Sequence, residues 1–413
     1  MTELPPSPLR RPEFRNLLAI SITVAIGFGM VIPVLPLFAE SFGVGLAAIG
    51  LIQFVFGLTR FSFGLVGGLV VDRFGERACT IAGLLIVSLS SYAAGFSSSF
   101  VELVLARGFG GAGSALFIGG LNNRILRIIE PEAMGRASGA FRASFLVGIG
   151  IGPALGGFVA SRFDSFAAPL HLYATGLLVA SVIAWFVMRE HREVVRPETR
   201  RSPLDALRTA RPLFSDVRYV VALLATLVGW WTISGPAQIV GPVFARKKLG
   251  LSADQIGLAV TMLAVGEILI LLVAGRAADR FGRRAVLVPS LAVTALATGF
   301  MGQIEGLPAL YFPLMVAIGA SIAAGGTAAG GLLADAIPRG GSGAAVGVNQ
   351  MAGDLGFLTA PTLIGFISEH AGFGPGYLVG ALPAAAVLVA AMRLPAGRPV
   401  SRPEPVPQQE PVG

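Results

Sequence analysis

Charge is scarce in this chain of 413 residues. Only 13% of residues are charged and 54% are hydrophobic, whereas a soluble domain carries about 25% charged residues. The mean hydropathy is +0.76, which excludes an ordinary soluble domain. Cysteine is scarcer still: Cys79 stands alone, which excludes an intrachain disulfide and any cysteine-based metal site. Its plain reading is a small apolar residue. The three histidines, His171, His191 and His370, fall in connections or at the ends of apolar runs. No nucleophile–base constellation, metal-ligand spacing or phosphate loop occurs, so no enzyme, cofactor or metal is expected. Glycine-rich pairs such as Gly325-Gly326 lie inside apolar runs.

Those runs are what the chain has in abundance. Apolar stretches of about 20 residues, each long enough to cross ~30 Å of hydrocarbon, recur at 15–38, 45–71, 78–97, 101–123, 137–161, 168–188, 218–243, 252–275, 285–303, 309–334, 343–368 and 374–392. The expectation is an all-α integral membrane protein with twelve transmembrane helices. The 55 glycines suit close helix–helix approach. The first run is too long and too interrupted by proline for a cleaved signal peptide. The basic residues place both termini in the cytoplasm, as in a multi-pass protein of the cell inner (plasma) membrane. Arg162, Arg246, Lys247 and Lys248 are then external, and the last three depart from the rule. The net charge of +8 reflects this bias, and no nucleic acid is expected as a partner.

The tetrapeptide Asp72-Arg73-Phe74-Gly75 returns 207 positions later as Asp279-Arg280-Phe281-Gly282. Gly43/Gly250, Ile49/Ile256, Gly50/Gly257, Leu51/Leu258 and Gly68/Gly275 match at the same offset. Gly148/Gly356, Pro153/Pro361, Gly157/Gly365 and Phe158/Phe366 match one residue further on. The period is too long for a solenoid, and two related membrane-embedded halves point to a transporter. The expected division is a cytoplasmic segment (1–14), a six-helix half (15–188), a cytoplasmic linker (189–217), a second six-helix half (218–393) and a disordered tail (394–413). Within the linker, basic residues interleaved with Glu190, Glu193 and Glu198 suggest a surface helix near 203–213.

Four motifs carry a family resemblance. They are Gly29-Met-Val-Ile-Pro33-Val-Leu-Pro36 in helix 1 and Gly68-Leu-Val-Val-Asp72-Arg73-Phe-Gly75-Glu76-Arg77 between helices 2 and 3. The others are Leu103-Val-Leu-Ala-Arg107-Gly-Phe-Gly110-Gly-Ala-Gly113 in helix 4 and Gly148-Ile-Gly150-Ile-Gly152-Pro153-Ala-Leu-Gly156-Gly157 in helix 5. In order and with the repeat, they resemble the major facilitator superfamily, most closely its twelve-helix drug:proton antiporters. Glu76 stands where a basic residue is usual, whereas the second copy keeps Arg283. The resemblance implies two pseudo-symmetric six-helix halves, alternating access, and helix 2 beside helix 11 with helix 5 beside helix 8. Proton-coupled efflux of small lipophilic or amphiphilic compounds by a monomer is the implied activity. A proton-linked transporter of a sugar, amino acid or other metabolite is the alternative. Helix 1 has no acidic residue between Ile20 and Phe38, unlike many proton-coupled members. A channel is disfavoured by the repeat with asymmetric buried charges.

Gly75 and Gly282 suit tight turns. Asp72 and Asp279 end their helices where a carboxylate meets a neighbouring helix N-terminus. Arg77 and Arg283 are expected to pair with Glu130 and Asp335, forming with Arg73 and Arg280 a cytoplasmic gate, while Glu76 reads as an ordinary surface charge. Gly148, Gly152 and Gly156 recur every four residues on one face of helix 5, expected to receive helix 8, and Pro153 bends that helix.

Arg60, Arg107, Arg142, Glu267 and Asp354 lie well inside spans, where charge is costly and function the default reading. Arg60 and Glu267 each precede their repeated Asp by 12 residues, about 18 Å of helix. The implied helix neighbours suggest Arg60–Asp354 and Arg142–Glu267 pairs, the second needing the arginine to reach. A carboxylate exchanging between an arginine and a solvated cavity suits proton coupling, and depth matching favours Asp354. Arg107 is expected to line the cavity and pair with substrate or set a carboxyl pKa, or alternatively to snorkel outward. Trp230, Trp231, Gln238, Asn349 and Gln350 are candidates for the substrate wall, with an interfacial aromatic belt as the competing reading of the tryptophans.

Overall fold

The repeat and the apolar runs lead to a symmetrical bundle. The computed structural model describes residues 8–130, 133–188, 211–337 and 343–395, without a strand among them. The first six helices are α1 (Pro12–Glu40), α2 (Leu46–Phe74), α3 (Glu76–Gly95), α4 (Phe100–Ile128), α5 (Met134–Arg162) and α6 (Ala168–Val187). The second six are α7 (Val217–Leu249), α8 (Ala253–Phe281), α9 (Arg283–Met301), α10 (Tyr311–Ala336), α11 (Gly343–Ala371) and α12 (Phe373–Met392). All twelve are long and apolar enough to cross a membrane. Their ends fall within a few residues of those read from hydropathy. Residues 1–7, most of the linker (189–210) and most of the tail (396–413) lie outside the described residues, as does most of the suggested helix near 203–213. Arg211–Ser215 forms a short 3-10 turn.

Chain reversals follow local chemistry. Gly75 alone joins α2 to α3 and Gly282 alone joins α8 to α9, at φ +86° and +92°. Only glycine takes that conformation without strain. Ser99 accepts from the Glu102 N–H at the start of α4, and Ser252 with Gln255 forms a capping box on α8, satisfying first-turn donors. Within each half the neighbours correspond: α1 packs on α5 and α6, as α7 does on α11 and α12. Likewise α4 packs on α2 and α3, as α10 does on α8 and α9.

The halves meet through two equivalent crossings, α2 with α11 and α5 with α8. Both are backbone contacts at the end of the bundle away from the termini. A Cβ on Gly50 would stand 2.6 Å from the Thr362 nitrogen, and one on Gly365 would stand 2.6 Å from the Leu46 carbonyl oxygen. A Cβ on Gly157 would overlap the Ala253 carbonyl, and one on Gly257 would overlap that of Pro153. Thr261 Oγ1 accepts from the Ala154 N–H at 3.0 Å, just after the proline that interrupts α5. Toward the terminal end of the same four helices, Gly64, Gly139, Gly275 and Gly347 have nothing within 4 Å of a would-be Cβ. The halves are joined at one end and apart at the other.

This corrects the reading of helix 5. Gly148, Gly152 and Gly156 do not receive α8. They face α1 inside their own half, against Ala25, Gly29 and Met30. The other face, with Gly150, Pro153 and Gly157, meets α8. Both faces of α5 carry glycine, and a four-residue spacing cannot say which neighbour each receives.

A Gly257→Val substitution should therefore disfavour closure at this end, because a backbone carbonyl cannot turn aside as a side chain can. Overpacking typically costs about 1–3 kcal/mol, so the balance should move by roughly 5- to 100-fold. Spin labels at Arg162 and Gln303 would report it as a longer distance, and an unchanged distribution would refute the closing role of this contact.

Candidate functional site

The repeated turns lie at the terminal end. Arg73 sits over the Phe74 ring at 5.5 Å and Arg280 over Phe281 at 5.2 Å, so the two copies of the motif adopt the same local contact. The side chain of Asp72 lies outside the described residues. Arg283 donates to Asp279 at 2.7 Å and lies 3.7 Å from Asp335. The matching expectation in the first half does not hold. Glu130 pairs with Arg11, while Arg77 donates to the Trp185 carbonyl at 2.7 Å and stacks over its ring.

Glu76 is more than a surface charge. It lies 2.9 Å from Arg127 and 3.6 Å from Arg124, and Arg124 is 2% exposed and also pairs with Glu13. The cluster ties α1, α3 and α4 together, and removing one partner of such a buried group typically costs about 3–5 kcal/mol.

Between the halves, Asp354 on α11 and Arg60 on α2 stand on facing helices. The two are close in depth, three and four residues beyond the Gly57–Leu358 contact, or about 5–6 Å along each helix. They make no direct ion pair, and Asp354 accepts from Gln350 Nε2 at 3.3 Å. Arg142 and Glu267 are not brought together. Measured from the Gly150–Ala264 contact, Arg142 lies eight residues along α5 and Glu267 three along α8, about 12 Å against 5 Å. No ion pair reaches Glu267 among the described residues.

Arg107 is 3% exposed. Its guanidinium lies 4.9 Å from the Phe56 ring centre, and its Nε and Nη1 make no hydrogen bond. It lines a cavity of about 20 Å³ between the halves, with Phe28, Ile32, Gln53 and Gln238. That is room for about one water. Gln238 reaches this cavity from a π-helical stretch, Ile233–Val240, that interrupts α7 at Pro236. Such wide turns re-aim side chains and recur at functional sites. Gln53 was missed, although a lone amide inside an apolar span was a readable signal.

The remaining wall candidates separate. Trp231 is buried and donates to the Gly380 carbonyl at 3.1 Å, so it packs α7 against α12. Trp230 is 42% exposed and meets Phe357 edge-on. Asn349 accepts from Thr226 at 2.9 Å. The unexplained basic cluster on α7 also finds partners. Lys247 pairs with Glu40 at 2.7 Å, Lys248 pairs with Glu305 at 3.2 Å, and Arg246 stacks on Phe166. Two of these contacts cross between the halves.

The fold is shared with solved transporters. The nucleoside transporter NupG (D323A mutant) superposes with a TM-score of 0.77 at 14% identity, over 92% of this chain and 99% of that one. A bacterial homologue of the human lysosomal transporter Spinster, in an inward-facing and unoccupied conformation, gives 0.73 at 17%, over 94% and 95%. In sequence, Multidrug resistance protein 1 of Bacillus subtilis (strain 168) is 26% identical over 57% of this chain and 59% of its own length. Multidrug resistance protein 2 of the same organism is 25% identical over 66% and 68%. Quinolone resistance protein NorA of Staphylococcus aureus is 28% identical over 33% and 35%. The Major Facilitator Superfamily profile matches residues 17–244 and again 237–412, and with twelve helices in two equivalent sets the chain belongs to that superfamily.

Proposed function

We propose that this protein is a secondary transporter that exports small lipophilic or amphiphilic molecules in exchange for protons, by alternating access. The observation that carries this reading is a bundle joined at one end and parted at the other, with mid-span charges on facing helices where the halves separate. Similarity to the two Bacillus multidrug resistance proteins and to NorA supports export of such cargo. A proton-linked metabolite transporter is the alternative, and a substrate panel in proteoliposomes separates the two.

With both termini in the cytoplasm, the parted end faces inward. Single cysteines at Ser98 and Ser215 in a Cys79→Ser background test this orientation. Ser98 should label from outside and Ser215 only after permeabilisation, and the reverse pattern would refute it.

The Lys247–Glu40 pair and the Arg246–Phe166 stack then act as an outer latch. Lys247→Gln should shift the equilibrium toward outer opening by no more than about fivefold, because exposed pairs contribute roughly 0–1 kcal/mol, and by less at high salt. The same Arg162 and Gln303 labels read this out. An unchanged distance distribution at low salt would leave the cluster without a latch role.

For the proton, we favour Glu267 over Asp354. Asp354 has a cation facing it and an amide donor beside it. Among the described residues, neither carboxylate has a cation at ion-pair distance, but Glu267 also lacks a cation at its own depth and an amide donor, and an uncompensated carboxylate in an apolar span is the group whose charge is most costly to keep. Glu267→Gln should abolish substrate-driven proton movement, followed with an internal pH dye in proteoliposomes, while Asp354→Asn should leave part of it. Wild-type rates in both mutants and in the double mutant would make the carboxylates structural.

A further inference from the structure

The mid-span charges do not balance. Arg60, Arg107 and Arg142 stand against Glu267 and Asp354. Arg107 is the mid-span cation furthest in depth from the two mid-span carboxylates. It lies seven residues from the outer end of α4, whereas Glu267 is fourteen from the outer end of α8 and Asp354 seventeen from that of α11. At 1.5 Å per residue both carboxylates lie about 10–15 Å deeper. A guanidinium does not give up its proton in proteins, so Arg107 stays charged, buried and without a hydrogen bond at Nε and Nη1. One water in the adjoining space satisfies a donor but leaves the charge. The cavity wall offers two amides, Gln53 and Gln238, and the aromatic ring of Phe28. Phe28 and Phe56 lie 6.4 Å apart. The wall draws on α1, α2 and α4 of one half and α7 of the other, so the space widens when the halves part at that end.

We propose that the cargo is an organic anion: a carboxylate on an apolar, aromatic body. Its acid group pairs with the guanidinium of Arg107, whose Nε and Nη1 are unbonded, helped by amide donors from Gln53 and Gln238, while its body lies against Phe28 and Phe56. The inference rests on the transporter reading and names its substrate class. It departs from a cation-selective exporter, for which a buried arginine in the cavity wall is repulsive.

The test uses the full chain in lipid nanodiscs and three probes of one shape: naphthylacetate, its methyl ester and naphthylethylamine. Calorimetric titration should show the carboxylate binding about 10- to 100-fold more tightly than the ester or the amine, the range expected of a charge-assisted bidentate contact. Arg107→Gln should erase that ratio, bringing the carboxylate down to the affinity of the ester in the same variant. Arg107→Lys, which keeps the charge and loses the fork, should retain part of it, and decides the matter if the glutamine variant does not fold. A carboxylate bound no better than the ester, or not bound at all, overturns the inference. So does a preference unchanged in either variant. Counterflow of the same three probes in proteoliposomes separates the two readings. Arg107-dependent selectivity without counterflow of any probe would sink the transporter reading and leave the anion site. Counterflow of ester and amine without preference for the carboxylate would do the opposite.

Discussion

Helices in lipid gain little from covering apolar side chains, because hydrocarbon is as apolar as the interface it would replace. How closely two backbones approach therefore decides where the halves of this protein hold together. At the α5–α8 crossing, Gly157 lies against the Ala253 carbonyl and Gly257 against that of Pro153. The α2–α11 crossing repeats the arrangement with Gly50 and Gly365. All four glycines sit toward one end, so the halves pivot about that end and separate toward the other. The parted end of these same helices carries Gly64, Gly139, Gly275 and Gly347 with no close neighbour. Glycine at both ends of the four interface helices gives the bundle two places where close approach is sterically possible, which a rocking motion requires.

The charges are distributed in a way that couples them to this motion. Every mid-span cation belongs to the first half and every mid-span carboxylate to the second. Moving the halves changes each cation–anion distance without altering contacts within a half. At an effective dielectric of about 20, opening one pair from 4 to 10 Å changes its attraction from about 4 to about 1.7 kcal/mol. That is comparable with the 1–3 kcal/mol typical of coupling between sites. A proton or an anionic cargo that cancels one of these charges therefore changes the relative energies of the two conformations.

Much of this was legible in the sequence. Hydropathy located the spans because lipid demands about twenty apolar residues per crossing. The repeat gave the symmetry, and Gly75 and Gly282 gave the turns because no other residue tolerates their φ. What remained illegible depends on rotation about a helix axis or on small differences in depth. The period of Gly148, Gly152 and Gly156 was correct, but the neighbour was α1. Trp231 and Trp230 are adjacent, and one turns into the second half while the other stays partly exposed. The π-helical stretch around Pro236 shifts the register of α7 and aims Gln238 at the cavity. Arg246, Lys247 and Lys248 contradict the charge rule because they answer partners at the end of α1 and in two connections.

The symmetry of the frame also shows why a cation stands at the depth of one carboxylate and not of the other. Arg60 and Glu267 occupy equivalent positions of the repeat, with opposite charge, on α2 and α8. Opposite them, Gln350 on α11 is the equivalent of Arg142 on α5. A symmetric protein would face Glu267 with a cation at the equivalent of Asp354, which is Leu146. The arginine stands instead at Arg142, four residues nearer the parted end, and one turn of helix is about 5.4 Å. That shift is large against the 4 Å reach of an ion pair. The two crossings are thus alike in backbone and unlike in electrostatics: Arg60 stands at the depth of Asp354, and no cation of α5 stands at the depth of Glu267.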